Sequence, residues 1–459
     1  MLKQQKIFFD FLQFCIGSVK EIPDSLKEAD WKELYAIAQK QALLGVLFHG
    51  IRQLPKQLAP EQKLLMQWMV IAEQIRKQNI RLFQDSVKVC QNFENEGFAN
   101  CILKGQGNAL LYPDPYMRTP GDIDIYLSGG RRKIMKYVDQ VCPNQVMRYH
   151  HVDFPVMKTA IEVHFTPSYM FCPIHNRRMQ KWFEEVMGEQ CNHRVSLPDG
   201  YGEIHVPQVS FNVIYILSHL YRHIFTEGIG LRQLLDYYYV VCAFCKVYQI
   251  SSNHLSNFSN HPVPLSKEGS TFSPSPSSMV FTPPSVPPFP GDRNLRSGDV
   301  TALRCSEPLR SKDGGPSKVS PDCADWDRLG AIGDTSFAAG ASSVALDVVQ
   351  KELKHLGLWK FAQAVMFVMK EVFGLSEDRM IAPMDEKEGR FLLDEIMRGG
   401  NFGQYDDRMG SKVGESKIHR YFRMNLRNLR FVKHYPAEAL SEPLFRTWFA
   451  VWKKIHGIE

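Results

Sequence analysis

The sequence predicts an α+β protein in which a small mixed-sheet core is flanked by helical regions and followed by a long disordered insertion. Three observations carry this prediction. Apolar residues recur at helical spacing through the first 97 positions, with Trp31, Leu34, Ala38, Ala42 and Leu43 in one set and Leu64, Trp68, Ile71 and Ile75 in another. Between residues 98 and 165 short strand-like runs alternate with short helical ones and end in a hairpin. From Val209 the helical period returns, and Val213, Ile216, Leu217, Leu220 and Ile224 share one face.

Residues 1–97 form an N-terminal helical region punctuated by Pro23-Asp24 and Pro55. The α/β core, 98–205, opens with a strand from Phe98 to Leu103 that runs into Lys104-Gly105. A short helix, Asn108 to Leu111, is stopped by Pro113 and Pro115, and a strand from Ile123 to Leu127 ends at Ser128-Gly129-Gly130. A helix from Arg131 to Val141 follows, and the runs Val146–Val156 and Thr159–Phe165 are close enough to pair as a hairpin. Residues 206–250 are helical again, with a second helix from Leu231 to Val247 after Gly228-Ile229-Gly230. The 251–345 segment is crowded with Ser, Pro and Gly; it cannot bury enough apolar surface to offset the ordering of its backbone, and reads as an insertion dispensable to the chemistry. Helical spacing resumes at Leu346 and fills 346–459. There a helix from Ser416 to His434 aligns Arg420, Arg423, Arg427 and Arg430, with Ile418, Phe422, Leu426 and Leu429 elsewhere on it. Those arginines read as the solvated face of a core-packed helix, or as a rail for phosphates.

With 459 residues, 44% hydrophobic and 23% charged, the chain can bury a substantial core. Its net charge of +6 suits a phosphate-rich ligand but is too mild for a dedicated nucleic-acid binder. Asp10 interrupts the first apolar stretch, and no run reaches the roughly 18 apolar residues of a spanning helix, so a cytoplasmic protein without a membrane partner is expected. Ten scattered cysteines read as reduced thiols. The lone Cys242-x-x-Cys245 pair lacks the second pair that zinc requires, and His150, His151 and His164 show no cysteine or carboxylate spacing for a closed tetrahedral site. No GxSxG, Walker A or Rossmann fingerprint occurs.

The chemistry concentrates in Gly121-Asp122-Ile123-Asp124-Ile125. Alternation along a strand puts Asp122 and Asp124 on one face and the isoleucines in the core. Two adjacent carboxylates repel one another unless a cation compensates them, and Mg2+, with Mn2+ as the substitute, is the ion such oxygens favour. In Ala160-Ile161-Glu162-Val163-His164 the same alternation exposes a third acid, Glu162. Upstream, the Lys104-Gly105 turn lets backbone N–H groups approach a phosphate beside a positive charge. The i,i+4 pairs His219/His223 and Arg232/Asp236 read first as helix pairing, although Arg232 could reach the cleft.

The stretch LKGQGNALLYPDPYMRTPGDIDIYL, followed by AIEVHF and by LSHLYRHIFTEGIGLRQLLDYYYV, resembles the bacterial uncharacterised nucleotidyltransferase family of the polymerase-beta-like superfamily. The resemblance spans most of 1–250 and 346–459. It implies that nucleotidyltransferase fold, Asp122, Asp124 and Glu162 as catalytic metal ligands, and phosphate contacts from Lys104, Gly105 and Arg118. The implied substrates are a nucleoside triphosphate, ATP by expectation, and an acceptor the family does not define. The superfamily's Gly-Ser or Gly-Gly is Gly105-Gln106 here, and 16 residues (106–121) separate Gly105 from Asp122. Two other readings stay open: a glycosyltransferase holding a nucleotide sugar through Asp122-x-Asp124, and a non-catalytic nucleotide-binding module.

Overall fold

The computed structural model describes residues 3–258, 342–408 and 416–456; the predicted insertion falls mostly outside the described residues. The central sheet has four strands, β1 (Asn100–Ile102), β2 (Ile123–Leu127), β3 (His151–Asp153) and β4 (Ile161–His164), in the order β1-β2-β4-β3. β2 and β4 are parallel, with Asp124 opposite Glu162, and both outer pairs are antiparallel. Ile123, Ile125 and Leu127 of β2 and Ile161 and Val163 of β4 are buried in the core. Their neighbours in the alternation, Asp124 and Glu162, therefore share the opposite face. The chain is α+β, as the alternation of periods predicts. A second hairpin, β5 (Arg194–Ser196) with β6 (Glu203–His205), was not legible, because three-residue strands are too short for a period.

Helices α1 (Lys3–Cys15), α2 (Trp31–Lys40), α3 (Leu44–Ile51) and α4 (Gln62–Asn95) precede the sheet. Asp30 caps α2 by accepting from the N–H groups of Lys32 and Glu33. α4 has 34 residues, about 50 Å of helix, and buries a stripe that includes Trp68, Ala72, Ile75, Leu82, Phe83 and Phe93. Asn79 is a polar member of that stripe. Its Nδ2 donates to the carbonyls of Tyr116 and Arg118, both at 2.8 Å, and to Ile75 at 3.1 Å. This side chain fastens the loop before β2 to the longest helix.

Within the core, α5 (Gln106–Ala109) follows the Lys104 turn, α6 (Gly130–Val141) follows β2, and α7 (Pro173–Gln190) follows β4. α8 (Val209–Thr226) and α9 (Leu231–Phe258) come next. α8 is buried from Val209 to Phe225 except at Ser210, and α9 from Leu231 to Phe244. Helices buried on all sides lie at the centre of a fold, so their polar residues need partners. The later helices are α10 (Ser342–His355), α11 (Trp359–Phe373), α12 (Glu386–Gly399), α13 (Lys417–Asn428) and α14 (Pro436–Ile455). The N-terminal helices and these later ones share one hydrophobic core. Ser18 Oγ at the end of the α1 segment donates to the Phe373 carbonyl at 2.6 Å. Among the described residues no helix is long and apolar enough to cross a membrane.

α13 departs in part from the expected arrangement: Arg420 stays exposed, but one arginine turns inward. Arg427 is buried and donates to the Ile224 carbonyl and to Asn428 Oδ1, while Phe422 and Leu426 are exposed. Arg430 pairs with the buried Glu395 at 2.8 Å, and Arg423 donates to the Arg408 carbonyl. The buried Ile224 carbonyl is an acceptor that an apolar side chain could not satisfy, and that draws Arg427 inward.

Replacing Asn79 with alanine strands two buried carbonyls and should cost about 1–3 kcal/mol. Urea denaturation of N79A beside the wild type checks this; unchanged stability would show that the loop is held by something else.

Candidate active site

Asp124 is almost wholly buried, at 1% exposure. Its Oδ1 accepts from Lys104 Nζ at 3.1 Å and lies 3.2 Å from His164 Nε2. Its other oxygen, Oδ2, is buried with no hydrogen-bond partner. An unsatisfied carboxylate oxygen in the interior is costly, and a hard cation is the ligand that relieves it. Burial pushes the Asp124 carboxyl up, but Lys104 and His164 overcome this and hold it well below the usual range. Asp122 lies just before β2 and is raised from its ordinary value of 3.8 to about 6, chiefly by the charge of Asp124 and then by burial.

Glu162 is the register partner of Asp124 on the parallel strand. Its Oε2 is 3.2 Å from His151 Nδ1 and 3.6 Å from His164 Nε2. Asp124, Glu162 and His164 each bring one ligand atom within 4.8 Å of the others. Burial opposes the charged form of Glu162, yet its hydrogen bond with His164 lowers its pKa overall. His164 is raised by the same two acids against the effect of its burial, while burial drives His150 well down and His151 to about 3.

The Lys104 turn is fixed from both sides. Leu103 donates its N–H to the Asp124 carbonyl at 2.9 Å, which locks the end of β1 to β2. Gly105 has φ +73°, a conformation that side-chain-bearing residues rarely adopt. α5 is a single turn of four residues, so the positive field at this turn comes from Lys104 rather than from aligned peptides. Lys104 Nζ also lies 3.2 Å from His219 Nε2 on α8.

Facing the sheet, α8 and α9 build a wall that sequence reasoning reached only in part. Arg118 is 3% exposed, and its Nε and Nη2 both donate to the carboxylate of Asp236 at 2.8 Å. Tyr112 donates to Asp236 at 2.7 Å, and Arg232 Nη1 lies 3.3 Å from it. Two guanidinium groups on one carboxylate leave a net positive charge near Asp122. The i,i+4 pairing of Arg232 and Asp236 is present, and it also forms part of the cleft. Phe402 covers the wall, its ring 5.6 Å from the Arg232 guanidinium carbon. It has φ +49°, and its neighbour Gly403 packs so closely that a Cβ there would lie 1.9 Å from the Glu227 carbonyl oxygen. Nothing in the local pattern marked Phe402; buried polar residues on otherwise apolar helices were the available signal for His219 and Asp236.

The pocket between sheet and wall is lined by Lys104, Gly105, Arg118, Asp122 and Asp124, with His219, Arg232, Asp236 and Phe402; Glu162 is not among its lining residues. It holds about 40 Å³ open to water-sized groups. That accommodates a cation and a few oxygens, whereas drug-sized ligands occupy roughly 300 Å³ or more.

A mixed sheet that sets acids from two parallel strands beside a lysine–glycine turn, under a cationic wall, is an arrangement able to hold a divalent cation against phosphate oxygens. Residues 27–247 match the family model described as uncharacterised nucleotidyltransferase, and this part of the chain carries the sheet, the turn and most of the wall. Comparisons with curated proteins and with solved structures give no match.

Two outcomes follow from the electrostatics. Asp122 holds its proton more tightly folded than unfolded, so its contribution to stability is favourable at low pH and is lost as the pH rises from 3.8 through about 6. A divalent ion held there would relieve the repulsion that remains. Mg2+ should therefore bind about tenfold more weakly at pH 5 than at pH 7.5. Thermal melts with and without Mg2+ at the two pH values check this, and equal shifts would exclude Asp122 as a ligand. Asp236→Asn leaves two buried guanidinium groups without a counter-charge and should cost about 3–5 kcal/mol; Arg232→Gln, which spares the bidentate pair, should cost clearly less in the same denaturation assay.

Proposed function

We propose that this protein transfers a nucleoside monophosphate from a nucleoside triphosphate, ATP by expectation, to an acceptor hydroxyl with release of pyrophosphate. The observation that carries the reading is the register of Asp124 against Glu162, with a buried and unpartnered Asp124 Oδ2 beside the Lys104 turn. The family assignment supports the reaction class.

Asp122, Asp124 and Glu162 would hold Mg2+, or Mn2+ in its place, through oxygen ligands that suit a hard ion. Bound there, the metal supplies charge neutralisation for the α-phosphate and the departing pyrophosphate. The acceptor oxygen attacks the α-phosphorus, the bond from that phosphorus to the bridging oxygen breaks, and pyrophosphate leaves. Glu162, kept ionised by His164 and only partly exposed, takes the acceptor's proton. Lys104, released from Asp124 once a cation compensates that carboxylate, turns its ammonium to the phosphates, and the N–H of Gly105 lies on the same turn. Arg118 acts through the cluster with Asp236 and Arg232, whose surplus positive charge favours the triphosphate. The small pocket volume makes displacement of the Phe402 cover part of nucleotide entry.

Incubation of the wild type and Asp124→Asn with labelled nucleoside triphosphates in cell extract tests the reading. Label transfer should fall at least about 100-fold in the variant, equivalent to roughly 2.7 kcal/mol of lost barrier lowering. Equal labelling by both proteins sinks it, and sugar transfer from a nucleotide sugar without pyrophosphate release would favour glycosyl transfer instead.

A further inference from the structure

The last two helices turn an apolar face to water. α13 and α14 pack as an antiparallel hairpin: Tyr421 Oη lies 3.2 Å from Thr447 Oγ1, and Asn428 Nδ2 donates to Glu442 Oε2 at 3.4 Å. On α14, Leu440, Leu444, Trp448, Val451 and Ile455 recur at helical spacing, and each is more than half exposed. On α13, Phe422 and Leu426 are exposed to the same degree, and so is Leu429 just beyond its end. Eight of the 19 large exposed apolar side chains among the described residues thus fall within 422–455. Exposure so concentrated marks an interaction surface, whereas single exposed apolar residues need no explanation. The stripe is also surplus to the fold, because α14 has an inward face of its own. Ala439 is buried there, and Phe445 stacks on Tyr169 with ring centroids 5.1 Å apart.

Charge indicates what covers this face. Residues 416–456 contain nine lysines and arginines against two acids, an excess of seven, whereas the excess of the whole chain is six. The rest of the protein is therefore close to neutral, and its positive charge is concentrated here. Both acids of the hairpin point inward and are buried. Glu438 accepts from the N–H groups of Phe171 and Cys172 and pairs with His175, and Glu442 pairs with Arg446. Arg420, Lys433 and Lys454 are exposed, and Lys453 is half-buried. The outer side of the hairpin is thus apolar and cationic, with no acid of its own.

We propose that the α13–α14 hairpin docks on an anionic lipid surface, with its leucines and Trp448 among the upper acyl chains and its lysines and arginines on headgroup phosphates. A helix with an apolar stripe beside cations lies along such an interface, buried to about 5–10 Å. α14, with 20 residues, offers about 30 Å of it. That no described helix can span a bilayer bears on insertion across it and leaves surface attachment open. Two other occupants fit less well. A second copy of the chain would bring cation against cation with no surface acid on either hairpin to pair them. A nucleic acid would satisfy the cations, but its phosphates offer nothing to aliphatic side chains such as Leu440, Leu444, Val451 and Ile455. Docking uses none of the active-site residues, so it stands whether or not nucleotide is transferred.

Co-sedimentation of the full chain with vesicles reads the docking directly. Phosphatidylcholine vesicles containing about 30% phosphatidylglycerol should bind the wild type, and pure phosphatidylcholine vesicles at least about tenfold more weakly. Leu444→Gln combined with Val451→Gln should weaken binding to the anionic vesicles at least about tenfold, because two side chains lose their transfer into lipid. Both positions are exposed, and circular dichroism with thermal melts verifies that the variant is folded. Brominated acyl chains should quench tryptophan fluorescence of the bound wild type, and this quenching should fall in Trp448→Phe. Four results would each overturn the proposal. These are no binding of the wild type to anionic vesicles, equal binding to neutral ones, undiminished binding of the double variant, and no bromine quenching. If vesicles fail, light scattering and titration with single-stranded RNA identify the occupant instead: self-association lost in the double variant assigns the face to a second copy, and RNA binding lost in it assigns the face to nucleic acid.

Discussion

The structure around the site depends on the compensation of one buried carboxylate. Asp124 sits almost entirely out of water between core isoleucines, and only Lys104 and His164 make its charge tolerable there. That need dictates the placement of much else. The end of β1 must deliver a lysine, so Leu103 is locked to the Asp124 backbone and Gly105 turns the chain sharply. The parallel neighbour must present a histidine next to its own acid, and Glu162-Val163-His164 does so within one strand. Even so, one oxygen of Asp124 remains unpaired. An incompletely satisfied charge that the fold nevertheless keeps is a common mark of function.

The opposite wall solves a related problem with reversed sign. Arg118 comes from a loop and Arg232 from α9, and both are buried against Asp236, which takes up their hydrogen bonds and is itself held by the Tyr112 hydroxyl. One carboxylate for two guanidinium groups keeps the wall positive. Asn79 on α4 holds the Arg118 loop through the carbonyls of Tyr116 and Arg118, so a helix packed against β1 and β2 also fixes where the cationic wall begins. The family match covers this machinery but ends at residue 247, whereas Phe402, which closes the pocket, lies beyond it. The matched segment carries the charged groups, and the later part of the chain adds Phe402 to the pocket lining.

Much of the architecture was legible because it follows from periodicity. β2 occupies Ile123–Leu127, the segment expected, α6 begins one residue before its predicted run, and the β3–β4 hairpin lies inside the predicted runs. Other features had no local signature. α7 is amphipathic only over a mixed sequence, and β5 and β6 are three residues each. α9 continues to Phe258, past the point where apolar spacing ends at Val247. On α13 the sequence offers two plausible inward faces, and the Ile224 carbonyl draws in Arg427 while Arg420 stays exposed.

By itself the sequence determined the α+β class, the strand that carries Asp122 and Asp124, the third acid, and the turn of Lys104 and Gly105, because alternation along a strand is a local property of the backbone. Tertiary structure alone decided which distant side chains neutralise those acids. It placed His151 against Glu162, His219 against Lys104, Asp236 across two arginines and Phe402 over the pocket. Partnership between buried charges depends on distances in space that no spacing along the chain encodes, and it is the cost of leaving such charges unpaired that makes the final arrangement specific.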